Sequence, residues 1–199
     1  GADAQKQADL HIVVSIPPQR EMVQRIAGPD ARVSVMLPPG KSPETYSPTP
    51  AQVRQLGEAD VYFSIGLPFE QVLLGNVPET HPKLVVADMS AGIVRRTLEE
   101  GHGDEEEEHH HHHHGEPDPH VWMAPLLLAQ MAENAAVTLY ACDAERSPVY
   151  QRAAVQFRQE MEELDARLRA MLAPYAGRTL FVYHPAFGYF ADAYDLKQE

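Results

Sequence analysis

The chain has 199 residues, of which 44% are hydrophobic and 23% charged, a composition typical of a folded globular protein. Its formal net charge of −13 would repel a phosphate backbone, so we expect no nucleic acid among its partners. A single cysteine, Cys142, excludes an internal disulfide, and no apolar run reaches the roughly 20 residues that a membrane-spanning helix needs.

Residues 1–100 alternate between short apolar runs and helical patterns. The apolar runs "HIVVSI", "RVSVML", "VYFSIG" and "KLVVAD" predict four strands. Helical patterns fall between them; Gly28 is placed to end the first, and Thr49 with Pro50 to begin the second. This alternation predicts an N-terminal α/β lobe with a parallel four-stranded sheet flanked by helices.

Residues 101–119 combine an acidic run with six consecutive histidines and predict a loop. Neighbouring side chains point in different directions, so six histidines in a row cannot all reach one ion. Together with the acids they predict a flexible, low-affinity metal-binding segment, to which a purification tag is the alternative. The members of this secondary site are His109, His110, His111, His112, His113 and His114.

Helical patterns dominate the second half of the chain. We assign residues 120–146 to the N-terminal lobe as a helical segment. Over residues 147–176, apolar residues from Phe157 to Met171 recur at steps of four and three, which predicts an amphipathic linking helix of roughly 42 Å. Residues 177–199 contain the strand pattern "TLFVYH" and one helix, and we expect them to begin an incomplete C-terminal lobe.

Three residues outside the histidine run are candidates for chemistry. Glu44 follows the second strand and His184 ends the fifth, at the carboxyl edge where open parallel sheets bind ligands. His120 precedes Trp122 and a helix. Each also has a structural interpretation, as a solvated loop acid or a hydrogen-bonded histidine. The sequence contains no phosphate-binding glycine loop, H-E-x-x-H, paired CxxC or G-x-S-x-G motif.

Several stretches, in order along almost the whole chain, carry a family resemblance. The most specific are "DPHVWMAP" around His120 and "HPAFGYF" from His184, whereas "VVSIPPQREMVQRIAG" and "LPPGKSPETYSPTP" are weaker. Together they resemble the zinc-binding solute receptors of bacterial ABC zinc importers. The resemblance implies two α/β lobes, one long rigid helix that joins them, and a divalent ion held in the cleft between the lobes.

The resemblance also implies a metal site formed by Glu44, His120 and His184. The two histidines stand at the family's second and third histidine positions. The family's first histidine lies in a pattern like "PHxY", whereas this chain has "PETY", so Glu44 stands in its place. A carboxylate favours harder ions than imidazole does, which makes Mn²⁺ the alternative to Zn²⁺. We expect Zn²⁺, because the histidine-rich loop suits it better.

The function implied is capture of a divalent metal ion, most of all Zn²⁺, and its delivery to a cognate ABC permease in the inner membrane. We expect a monomer without enzymatic activity, periplasmic or lipid-anchored outside the cytoplasm, with its signal peptide removed. A metal buffer or chaperone that acts through the histidine run is the first alternative and needs no fixed site. A zinc-dependent hydrolase is the second, because two histidines, a carboxylate and a water also describe catalytic zinc.

Overall fold

The computed structural model describes residues 10–75, 77–98 and 115–199. The predicted secondary site His109–His114 lies outside the described residues. By its internal contacts the chain divides into two compact units, each made of two segments. Unit 1 consists of Gly1–Ala91 and Ala132–Val155, and unit 2 of Gly92–Met131 and Gln156–Glu199.

Unit 1 contains a parallel four-stranded sheet, as the sequence predicts. The two middle strands are almost fully buried because each has a neighbour on both sides, whereas the edge strands are partly exposed. Val13 in the middle of the sheet lies opposite Ser34 on one side and Tyr62 on the other. The strands are β1 (His11–Val14), β2 (Arg32–Val35), β3 (Val61–Ser64) and β4 (Val85–Asp88), in the order β2-β1-β3-β4.

Short helices connect these strands, and their ends follow local sequence rules. The first begins at two prolines, whose fixed φ suits the first turn, and ends at Gly28, whose φ of 84° is rare for residues with a side chain. Thr49 caps the second, because its hydroxyl accepts a hydrogen bond from the Gln52 backbone N–H. The helices are α1 (Pro17–Ala27), α2 (Pro50–Gln55), α3 (Pro68–Leu74) and α4 (Val77–Thr80).

A buried carboxylate fixes the turn between β3 and α3. Glu70 is 3% exposed, and its two oxygens accept hydrogen bonds of 2.7–3.2 Å from the backbone N–H groups of Ile65, Gly66 and Leu67. The hydroxyl of Ser15, just after β1, also donates to Glu70. The network therefore ties together the carboxyl ends of β1 and β3, the edge at which the loop with Glu44 also leaves the sheet.

Two long helices have residues in both units. They are α5 (Pro125–Cys142) and α6 (Ser147–Leu172), and a 3₁₀ turn, Ala173–Tyr175, completes the predicted long helix. The units divide α5 at Ala132, whereas the division drawn from the sequence keeps residues 120–146 with the first lobe. Within the described ranges, no helix combines the length and the apolar character that crossing a membrane requires.

Unit 2 ends in a small βαβ arrangement of β5 (Thr179–Leu180), α7 (Gly188–Ala193) and β6 (Lys197–Gln198), in which the two strands pair in parallel. The predicted strand "TLFVYH" is therefore much shorter than expected, and His184 lies beyond its end. Phe181 and Tyr183 are 78% and 107% exposed, and among the described residues β5 pairs only with β6, so neither burial nor a second neighbouring strand there holds this stretch in a sheet.

Candidate metal site

The backbone that leads to His120 is held by an antiparallel pairing within unit 2. The Leu98 N–H donates to the Glu116 carbonyl at 3.0 Å, and the Asp118 N–H donates to the Arg96 carbonyl at 2.7 Å. The chain then turns into a short 3₁₀ segment, Val121–Met123, directly after His120. The histidine is thus placed at a fixed backbone position, and it is only 4% exposed.

Asp118 holds the imidazole of His120 in one orientation. Its Oδ1 lies 2.7 Å from His120 Nδ1 and also accepts the His120 backbone N–H at 2.9 Å. Because a carboxylate can only accept, this contact assigns the ring proton to Nδ1 and leaves the lone pair of Nε2 for a ligand. Burial alone would raise the pKa of Asp118, but the hydrogen bonds from His120 and the charge of Arg96 lower it below its ordinary value.

His184 brings a second imidazole to the same point of unit 2. Its Nε2 lies 3.2 Å from His120 Nε2, and the two ring planes meet at 78°. His184 is exposed, whereas His120 is buried, and the ring centre of Trp122 lies 5.2 Å from that of His120. Two converging imidazole nitrogens are a donor set suited to zinc and other divalent transition metals. That these two histidines bind a metal stays a prediction.

Glu44 lies in unit 1, in the loop between β2 and α2. Its side chain is exposed, and the hydroxyl of Ser42 donates to its carboxylate. Tyr46 anchors the loop: its hydroxyl donates to Gln52 Oε1 at 2.5 Å, and its ring packs edge-on against Phe69 at 5.3 Å. Glu44 thus lies two residues before Tyr46, which anchors the loop. The role of Glu44 as the third ligand stays a prediction.

Arg96, Asp118 and Tyr189 support the site but were not predicted as functional. The Tyr189 hydroxyl donates to the Asp118 carbonyl at 2.6 Å and accepts the Arg96 backbone N–H at 3.0 Å. One signal was available for Asp118, since an acid two residues before a histidine can bond back to its ring across Pro119. No comparable signal marks Arg96, which is far from both histidines in the sequence.

Comparison with known proteins decides the family. The sequence model of the family described as "Zinc-uptake complex component A periplasmic" matches residues 12–199. The chain belongs to this zinc-uptake family. The family resemblance predicted from the sequence is therefore confirmed. The family consists of solute receptors and not of enzymes, and among its relatives are proteins named as lipoproteins.

Three curated relatives illustrate the range of this zinc-uptake family. The chain is 28% identical to the Bacillus subtilis high-affinity zinc uptake system protein ZnuA, over 100% of this chain and 62% of that protein. It is 30% identical to the Streptococcus pneumoniae zinc-binding lipoprotein AdcA, over 98% and 39%. For the Halalkalibacterium halodurans manganese-binding lipoprotein MntA the identity is 27%, over 93% and 58%. The chain thus spans less than two thirds of each of these relatives.

Solved structures of the zinc-uptake family confirm the predicted fold class. A crystal structure of a ZnuA deletion mutant with zinc bound has a TM-score of 0.82 and 33% identity, covering 96% of this chain and 68% of that one. A second crystal structure of ZnuA has a TM-score of 0.81 and 33% identity, covering 96% and 69%. The α/β fold with a parallel four-stranded sheet and a long helix is therefore that of the family.

Proposed function

We propose that the chain captures a divalent metal ion, Zn²⁺ above others, for delivery to an ABC importer. The observation that carries this proposal is the approach of His120 Nε2 and His184 Nε2 to 3.2 Å, with the first ring oriented by the buried Asp118. A fixed, oriented pair of imidazoles suits selective capture, and membership of the zinc-uptake family supports zinc transport as its purpose.

Glu44 is the proposed third ligand. Two imidazoles and one carboxylate form a common zinc donor set, and the carboxylate adds the negative charge that two neutral rings lack. The same oxygen donor makes Mn²⁺ the second candidate ion, since carboxylates suit harder ions. A relative named as a manganese-binding lipoprotein supports Mn²⁺ as this second candidate.

The proposed setting is the space outside the cytoplasmic membrane, where a monomer would hand its ion to a cognate permease. The family description as a periplasmic uptake component supports this place and this partner. We further propose that the chain has no enzymatic activity of its own, in line with its family. The run His109–His114 would then raise the local zinc concentration through weak binding.

Zinc titration tests the proposed ligands directly. In competition with a chelating dye, the metal-free chain should show one tight site, and His120→Ala or His184→Ala should each weaken it by at least about 100-fold, because a ligand is lost. His81→Ala is the matched control, since His81 directly follows α4 in unit 1 and its ring nitrogen hydrogen-bonds to the neighbouring Thr80 hydroxyl. Unchanged zinc affinity in either ligand variant would overturn the ligand set.

Deletion of residues 103–115 separates a transport receptor from a buffer. A receptor with a fixed site keeps its one tight zinc site without the histidine run and loses only weak, additional binding. A buffer that acts through the run loses all tight binding. The second result would contradict the proposed function.

A further inference from the structure

The second oxygen of Asp118 is in an unusual environment. While Oδ1 accepts two hydrogen bonds from His120, Oδ2 is buried and has no hydrogen-bond partner among the described residues. A buried, charged oxygen without a hydrogen bond is costly unless a positive charge lies nearby. Arg96 supplies that charge, with its Nη1 3.5 Å from Oδ2. The carboxylate that orients His120 therefore lies between a histidine and an arginine.

Arg96 also reaches α7, the helix that follows His184. Its Nε bonds to Asp192 Oδ2 at 2.6 Å, and its backbone N–H donates to the Tyr189 hydroxyl at 3.0 Å. The Arg96 side chain is 17% exposed, whereas the Asp192 side chain is 59% exposed, so this arginine reaches from the buried Asp118 to the surface of α7. One arginine thus connects the support of His120 to the helix that begins four residues after His184.

Gly188, the first residue of α7, provides the space for this arrangement. A Cβ at Gly188 would lie 1.8 Å from Arg96 Nη1, 2.6 Å from its Cζ and 3.1 Å from Asp118 Oδ2. Gly188 has no positive φ, so its backbone does not require a glycine. The missing side chain is therefore explained by the guanidinium that packs against it.

We propose that Arg96 is a positioning residue of the metal site: by holding Asp118 against α7, it keeps His120 in one tautomer and at a fixed distance from His184. The inference rests on the proposed function, because it concerns the same site. Without Arg96, Asp118 is free to turn away from His120, and the ring can then rotate or exchange its proton between Nδ1 and Nε2. The two Nε2 atoms would converge for only part of the time, and zinc binding would weaken.

Two substitutions remove the contact in different ways. Arg96→Met deletes the charge, and we expect it to weaken zinc binding about tenfold, the lower end of the effect of losing a supporting residue outside the ligands. Gly188→Ala changes no charged group but displaces the guanidinium, and it should weaken zinc binding to a similar degree. Arg96→Lys should restore part of the affinity. Arg158→Met is the matched control, because Arg158 forms a comparable pair with Glu162 on the surface of α6.

The tautomer of His120 distinguishes positioning from a contribution to stability alone. Long-range ¹⁵N–¹H NMR of the zinc-free, histidine-labelled chain should show a single Nδ1–H tautomer for His120 in the unaltered protein and in Arg158→Met. Arg96→Met and Gly188→Ala should show a mixture of tautomers. The thermal midpoint of each zinc-free variant reports whether it is folded, and if Arg96→Met does not fold, Gly188→Ala decides the outcome.

The combined results separate the inference from the function on which it rests. If the unaltered chain binds zinc tightly and folded Gly188→Ala keeps both its affinity and its single tautomer, the positioning role is overturned and the receptor function stands. A lower thermal midpoint with unchanged tautomer and affinity also overturns it, because Arg96 then only stabilises unit 2. If the unaltered chain does not bind zinc tightly, the receptor function fails, and the tautomer measurement still tests whether Arg96 positions Asp118 and His120.

Discussion

At the scale of single residues, the chemistry of His120 depends on a hydrogen bond that local sequence spacing makes available. Asp118 stands two residues before His120, and the turn at Pro119 lets the carboxylate reach back to Nδ1. The importance of His120 was predicted from a family motif, but its tautomer requires the observed contact. Arg96 could not be predicted, because its link to Asp118 depends on how distant segments pack in unit 2.

Glu44 is the residue on which metal preference depends. We expect Glu44→His to lower the affinity for Mn²⁺ relative to Zn²⁺, because a neutral nitrogen donor replaces a charged oxygen and suits the softer ion. Titration of the metal-free variant with each ion measures the ratio of the two affinities. Glu58→His, at an exposed acid in the same unit, is the control and should leave the ratio unchanged. An unchanged ratio in Glu44→His would show that Glu44 is not a ligand.

At the scale of elements, the sequence best predicts the strands whose residues are buried in the sheet. The strands β1 and β3 lie in the middle of the sheet and have continuous apolar patterns, so both were predicted. The stretch "TLFVYH" has the same pattern, yet only Thr179–Leu180 forms a strand. An apolar pattern shows that a segment is able to form a strand. The neighbouring strands and the burial of its side chains determine how many of its residues do so.

Glu70 provides a test of the element that follows β3. Glu70→Gln should reduce the free energy of unfolding by about 1–3 kcal/mol, because an amide NH₂ would face backbone N–H groups of Gly66 and Leu67 that now bond to Oε2. Urea unfolding at neutral pH measures the change. Glu79→Gln, at an exposed acid of α4, should be neutral within about 0.5 kcal/mol. Equal stabilities for the two variants would mean that the carboxylate does not fix this turn.

At the scale of the whole molecule, a fixed site makes the free energy of unfolding depend on zinc. The ion binds the folded chain, where the ligands converge, and not the unfolded chain, where they are far apart. Zinc at 100 times its dissociation constant should add about 2.7 kcal/mol of stability. For a chain of this size, that corresponds to a rise of about 5–10 °C in the thermal midpoint. Imidazole must be neutral to bind, so the rise should shrink as the pH falls from 7.5 to 5.5. Scanning fluorimetry with and without zinc measures this rise in the thermal midpoint.

His120→Ala, which lacks one ligand, should show little of this rise at either pH, whereas deletion of residues 103–115 should leave it in place. If the deletion removed the stabilisation and His120→Ala did not, zinc would act through the histidine run and not through the oriented pair.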